Sequence, residues 1–332
     1  MLSRTSFVVA LVVAVAAAGL SACLNTSETP AQGSGGGAPA AAALPASPTP
    51  VQRQAQEQGA EDAGLSARLK EICGRAGGEC AAAVVHVESG RAASSEGGRR
   101  LPLYSVFKLP LAVAVLQDVE AGKLALEQKV RVEPEEAAPG VKANSDLWRE
   151  ASDRTVRELL EFSIARSDNT SSDKMLELVG GPAAVTERMR ALGLRDIEVR
   201  SGVREFLKNR DAHPNTGSAS DLARLLALLR KGEVLRPENL DVLLGMMGRA
   251  VTGLGRLRAG VPPGTPVGDK TGTGPATTND VGLITLPEGK GHLALAVLLN
   301  GSKLSVEGQE KLTAELARAA YDAHVPRPAA GR

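Results

Sequence analysis

The chain has 332 residues, a formal net charge of +1 at pH 7, 43% hydrophobic residues and only 2% aromatics. That length allows one large domain or two lobes with sizeable cores. The near-neutral balance excludes the basic face that nucleic-acid binding demands, so no nucleic-acid partner is expected. With so few aromatics the core must be built mainly from Leu, Val and Ala.

The N-terminus reads as a targeting segment. Arg4 precedes an apolar run from Phe7 to Gly19, too short to span a bilayer, which ends in Leu20-Ser21-Ala22-Cys23. Small residues leading into a cysteine look like a bacterial lipobox, so residues 1–22 are a lipoprotein signal peptide and Cys23 is the lipidated first residue of the mature chain. The alternative is an ordinary secretory peptide cut near Ala18 or Ala22. Residues 23–60 are rich in Ala, Gly, Pro and Ser and cannot bury enough apolar surface to order themselves, so they form a disordered tether. The protein is thus expected to be exported and held on a membrane, facing the periplasm or the cell exterior. In that oxidising compartment Cys73 and Cys80 are expected to form a disulfide, two free thiols being the alternative.

The folded part, residues 61–326, opens with a helix over 63–74 and a Val-rich strand over 81–88. A turn at Ser89-Gly90-Arg91 and a weaker second strand follow. Apolar periodicity predicts a helix over 105–122, which places Ser105 at or near its N-terminus, and further helices over 155–163, 171–179, 183–192 and 219–229. The segment from Val199 to Thr216 has no sustained period and reads as a long functional loop. Strands are predicted over 267–272, 279–286 and 292–299, then a final helix over 307–323. Strands at both ends with helices between them give an α+β architecture: one antiparallel sheet covered by the terminal helices (residues 61–104 and 250–326) and a helical lobe (105–249), with the site in the cleft between them.

Four short motifs carry the chemistry. Ser105-Val-Phe-Lys108 puts a hydroxyl and an amine one helical turn apart. A lysine made neutral by burial and nearby positive charge can take the serine's proton, and a helix N-terminus offers backbone N–H groups to the developing charge. Ser171-Ser-Asp-Lys174 matches the same pattern but reads as a polar helix face. Ser167-Asp168-Asn169 supplies a second hydroxyl and an amide. Lys270-Thr271-Gly272-Thr273 ends a strand: the lysine can hold Ser167 and attract a substrate carboxylate, and the Thr271 and Thr273 hydroxyls can donate to it. At Gly272 the missing side chain lets substrate lie along the strand edge. Glu205, with Asn209 four residues on, is a candidate water-activating pair; Glu198 and Asp211 are its rivals. The histidines (His86, His213, His292, His324) show no metal-ligand spacing, so no metal is expected. Pro275 after Gly272-Thr273-Gly274 spoils a phosphate loop, and no cofactor is expected.

In order and spacing these motifs resemble the class A serine β-lactamases over the whole folded part. The resemblance implies a two-lobed fold and a monomer acting on a small-molecule β-lactam through a Ser105 acyl-enzyme. It further implies that Ser167 relays a proton to the leaving nitrogen, that Asn169 binds the substrate amide, and that the N–H groups of Ser105 and Thr273 form the oxyanion hole. Asp168 would be structural. Arg256 resembles an arginine that reinforces carboxylate binding in some members, with Arg258 as its rival. Glu205 would be the deacylation base and Asn209 would orient its water, although Lys208 and Val203 stand where the family has leucine and arginine. Tyr104 before Ser105 and Gly274 after Thr273 leave no disulfide beside the nucleophile, unlike some carbapenem-hydrolysing members. Other readings are a penicillin-binding sensor that acylates with poor turnover, a peptidase or esterase acting on D-Ala-D-Ala-type or other acyl substrates, and a lipoprotein without activity.

Overall fold

The computed structural model describes residues 61–139, 144, 146–209 and 213–325. The expectations for residues 1–60, including Cys23, and for Asp211 lie outside the described residues. Helix α1 (Ala63–Cys73) begins at Asp62, whose carboxylate accepts the Leu65 N–H at 3.0 Å, and buries Leu65, Leu69 and Ile72. Cys73 at its end is joined by a disulfide to Cys80 on β1 (Glu79–His86). β2 (Ala92–Ser95) and the short β3 (Arg100–Pro102) lead to a 3-10 turn over Tyr104–Phe107, and α2 (Lys108–Glu120) follows directly. Ser105 therefore sits on a tight turn rather than inside the α-helix. From Lys108 to Leu116 every residue of α2 is buried, as befits a helix with apolar residues all round.

The middle of the chain is helical. A capping box formed by Thr155 and Glu158 starts α3 (Val156–Ala165), and Asp168 caps α4 (Asn169–Leu178). Pro182 opens α5 (Pro182–Ala191) at the position where a missing N–H does no harm. Then come α6 (Val203–Lys208), α7 (Ala219–Arg230) and α8 (Pro237–Gly248). The segment expected to be irregular thus contains a short helix, and α8 was not anticipated, although Leu240, Leu243, Met246 and Met247 bury one face at helical spacing. Two small antiparallel pairs also escaped the sequence reading: β4 (Lys129–Val132) with β5 (Ser152–Thr155), and β3 with β6 (Thr216–Ser218).

After a one-turn helix α9 (Leu257–Gly260), strands β7 (Val267–Gly274), β8 (Thr277–Thr285) and β9 (His292–Asn300) complete a five-stranded antiparallel sheet in the order β2-β1-β9-β8-β7. The closing helix α10 (Val306–His324) packs with α1 over one face. Side-chain alternation sorts the sheet between two cores. Leu293, Leu295, Val297 and Leu299 of β9 join Leu69, Ile72, Leu312 and Leu316 beneath the terminal helices. Ala294, Ala296 and Leu298 face Leu222 and Leu226 of α7 on the other side. Buried on both faces, β9 reads as one apolar run. The sheet's last strand, β7, lies against the 3-10 turn that bears Ser105.

Candidate active site

The nucleophile turn and β7 meet more closely than side chains would normally permit. A Cβ built on Gly272 would lie 2.3 Å from the Leu103 carbonyl oxygen and 3.2 Å from the Val106 nitrogen. Gly272 is therefore needed for backbone approach, not, as expected, to clear the strand edge for substrate. Ser105 and Thr273 line one cavity of about 290 Å³ beside this approach. Asn279 on β8 ties the junction from below. Its amide donates to the Pro102 and Leu103 carbonyls at 2.8 and 3.2 Å, and its Oδ1 accepts the Leu299 N–H at 2.9 Å. Sequence reasoning missed Asn279, which stands between Thr278 and Asp280 at the polar start of β8, with nothing local to mark such a tie.

Lys108 projects from the first turn of α2 into a fully buried polar nest. Its Nζ lies 2.7 Å from the Ser167 carbonyl, 2.7 Å from Asn169 Oδ1, 3.2 Å from the Asp168 carbonyl and 3.4 Å from Ser167 Oγ. Burial, and then the charge of Lys270, hold its pKa well below the ordinary lysine value, against the pull of Asp168 and Asp173. A neutral amine here keeps a lone pair that can accept the Ser105 proton. Ser167 adopts a left-handed backbone, φ 55°, a strained conformation for a serine, and its Oγ also accepts from Lys270 Nζ at 3.1 Å. One hydroxyl thus bridges two buried lysines. Asp168 is structural, as expected: it caps α4 by accepting the Ser171 N–H at 2.7 Å and takes the Trp148 indole N–H at 3.2 Å. The rival Ser171-Ser-Asp-Lys174 match is not a simple polar face. Ser171 is buried against Asp168, while Lys174 pairs with Glu136 at 2.6 Å.

Lys270 is fully buried behind the cavity, and burial lowers its pKa to about 8. It is therefore not an exposed clamp, and its side chain bonds Ser167. Thr273 is exposed at the cavity, and its hydroxyl accepts from Arg256 Nη2 at 2.9 Å. Arg256, 3% exposed, also donates to the Asn279 carbonyl at 3.0 Å and to Glu310 at 3.2 Å, so it positions Thr273 and does not reach the cavity itself. Its rival Arg258 turns away to Asp269 at 2.6 Å. Thr271 is not brought to the cavity wall: its hydroxyl is paired with Thr252 at 2.6 Å. Tyr104, with φ 48°, lays its ring over Gly274, where an added Cβ would come within 2.0 Å of it.

The largest departure from expectation concerns Glu205. In α6 the residues Val203, Phe206 and Leu207 line the cavity, at the i, i+3, i+4 spacing of one helix face. Glu205 falls on the opposite face and is exposed. An irregular loop could have aimed it inward; a helix cannot aim both sets inward. Asn209, the helix C-cap, is also exposed and does not line the cavity. The rival Glu198 is taken by Arg100 at 2.5 Å and Arg200 at 2.9 Å. What fixes α6 is Asp173, another residue not foreseen. Its carboxylate accepts the N–H groups of Val203 and Arg204 at 2.6 and 2.8 Å, and a Cβ on Gly202 would come within 2.6 Å of it.

A serine one turn before a buried lysine of depressed pKa, a second serine hydrogen-bonded to two lysines, and a cavity lined by Ser105 and Thr273 suit a serine acyl-transfer hydrolase. The relatives agree. Residues 64–324 match the model of the β-lactamase enzyme family, so the chain belongs to that family. The β-lactamases VEB-1 and PER-1 of Pseudomonas aeruginosa are 30% and 33% identical to it, each over 67% of this chain and over 77% and 75% of their own lengths. Among solved structures, a β-lactamase from Chitinophaga pinensis superposes with a TM-score of 0.75 at 31% identity, covering 78% of this chain and 99% of its own. An ancestral class A β-lactamase (GNCA) gives 0.71 at 33%, covering 78% and 99%. Fold and family place the chain in class A, whose members hydrolyse β-lactams.

Proposed function

We propose that Ser105 opens the β-lactam ring in the following steps. Neutral Lys108 takes the proton of Ser105 Oγ as that oxygen bonds to the lactam carbonyl carbon. The N–H groups of Ser105 and Thr273 hold the oxyanion. As the C–N bond breaks, Ser167 Oγ gives its proton to the leaving nitrogen and is reprotonated from the lysines that flank it. A water molecule then releases the ring-opened acid and regenerates Ser105. The observation that carries this reading is Ser167 Oγ, 3.1 Å from Lys270 Nζ and 3.4 Å from Lys108 Nζ, a relay with a lysine at each end.

Acyl-enzyme breakdown is the slow half, because the wall that α6 turns toward Ser105 is Val203, Phe206 and Leu207 while Glu205 faces solvent. Steady-state hydrolysis of a chromogenic cephalosporin tests both halves. Ser105→Ala is expected to be inactive, and Glu205→Gln to stay within about threefold of wild type. A trapped acyl-enzyme in Glu205→Gln would show that Glu205 reaches the cavity and would overturn this account of breakdown. The same placement of Glu205 favours a second reading, a penicillin-binding sensor. A burst of one equivalent followed by silence would establish it.

The rest of the chain delivers this domain. Residues 1–22 are the signal peptide, Cys23 carries the lipid, residues 23–60 are the tether, and residues 61–326 form a monomeric catalytic domain at a membrane surface. Labelled fatty acid should enter the wild-type protein and not Cys23→Ala, which should leave the membrane fraction. Unlabelled wild type would exclude the anchor.

A further inference from the structure

Behind the site, β7 and β8 bury two carboxylates that the reaction does not use. Asp269 pairs with Gly282 and Asp280 with Thr271 in the ladder, which makes the two acids diagonal neighbours on one face. Gly282 makes room for this: a Cβ there would lie 2.9 Å from Asp269 Cβ. Both acids are 0% exposed. One oxygen of each is satisfied, Asp269 Oδ1 by Arg258 at 2.6 Å and Asp280 Oδ2 by the Leu257 N–H at 3.2 Å. The other two, Asp269 Oδ2 and Asp280 Oδ1, are buried with no hydrogen-bond partner among the described residues. Two bare acceptors on neighbouring side chains out of water are a costly arrangement unless the pair carries a proton.

We propose that Asp269 and Asp280 share one proton and together serve as a singly charged counter-ion that sets the charge of Lys270 from the opposite face of β7. The surrounding charges do not fix the count, which rests on the two bare oxygens. Arg258 on α9, Arg256 at its N-cap and Lys270 on β7 bring three cations to this region, and Glu310 of α10 is spent on Arg256. With both aspartates ionised the group would be neutral. With one proton shared it keeps a single positive charge, and Lys270, which among the described residues bonds Ser167 Oγ and the Thr271 carbonyl, is the cation of the three with no carboxylate bonded to it there. Burial raises the pKa of both acids, and that of Asp280 is raised further by Asp269. The pair's negative charge in turn holds Lys270 protonated near neutral pH against its own burial. Asp269 and Asp280 thus act on the reaction through the charge of Lys270, an inference that rests on the role read for Lys270.

The test has two arms. In the first, wild-type enzyme labelled with carboxyl-¹³C aspartate is examined by infrared difference spectroscopy at pH 7. The C=O stretch of a protonated carboxyl is expected in wild type and not in Asp280→Asn. Its absence from wild type overturns the proposal, whatever the enzyme's activity. In the second, the pH dependence of kcat/KM is followed for a carboxylate-bearing cephalosporin. Wild type should lose activity on the basic side with a midpoint near 8, as Lys270 is neutralised. Asp280→Asn replaces the shared proton by an amide N–H and leaves one negative charge, so this midpoint should stay within about 0.3 of wild type. The double variant Asp269→Asn/Asp280→Asn removes the counter-ion and should lower it by about one unit or more. A drop of that size in Asp280→Asn alone would mean that wild type carries two charges, and would overturn the proposal. A flat basic limb in wild type with the infrared band present would instead count against the role read for Lys270.

Discussion

Lys108→Met is expected to slow acylation by about 10³- to 10⁴-fold, the upper range for loss of a general base, while leaving the thermal midpoint close to wild type. The two halves of this result have one cause. Lys108 is fully buried, and Lys270 adds a second buried amine on the far side of Ser167. Two such groups are unfavourable for the fold, and removing one relieves the burial of a polar amine. Against that gain stands the loss of donors to the Ser167 carbonyl and Asn169 Oδ1, each worth roughly 1 to 3 kcal/mol if left unsatisfied. The opposing effects are of similar size, so stability changes little while activity collapses. In wild type the acylation rate should fall as pH drops through the depressed Lys108 pKa, because only the neutral amine accepts the serine proton. Stopped-flow acylation across pH, beside calorimetry of Lys108→Met, checks both. Full acylation in the variant would remove Lys108 from the mechanism.

Gly272→Ala should cost about 10²- to 10³-fold in kcat, as much as losing an oxyanion-hole donor, although the added methyl touches no substrate. The new carbon cannot remain 2.3 Å from the Leu103 carbonyl, so β7 must retreat from the nucleophile turn. A shift of about an ångström is enough to separate the two N–H groups from one oxyanion. Lys270 and Thr273 move with the strand as a unit, so KM should change far less than kcat. Loss of close packing should also lower stability by roughly 1 to 3 kcal/mol. Comparison of kcat and KM with denaturant midpoints decides the matter. An active Gly272→Ala would show that the close approach is not what assembles the oxyanion hole.

The sequence carried most clearly those features whose chemistry fixes residue type and spacing. Lys108, Ser167, Asn169 and Lys270 meet in one hydrogen-bonded group because a helix turn and a strand end each hold a motif rigidly. Long apolar elements such as α2 and β9 were legible because their burial is nearly continuous. Glu205 was misjudged because α6 has only six residues, too few for its period to stand out, yet Val203, Phe206 and Leu207 already mark a helix face that leaves Glu205 outside. Arg256 and Arg258, two apart, had to point differently. Which one met Thr273 depended on a strand folded beside them. Asn279 and Asp173 act through partners far along the chain, such as Pro102 and Val203, and local pattern carries no trace of such ties.

The most direct test of the central claim is intact-protein mass spectrometry of the soluble part, quenched at millisecond-to-minute intervals after mixing with a cephalosporin, with peptide mapping of the adduct. The account predicts one acyl group per molecule on the peptide bearing Ser105, forming faster than it decays, and no adduct in Ser105→Ala. Steady turnover with Ser105 unmodified at every interval, or an adduct on any other residue, would contradict it.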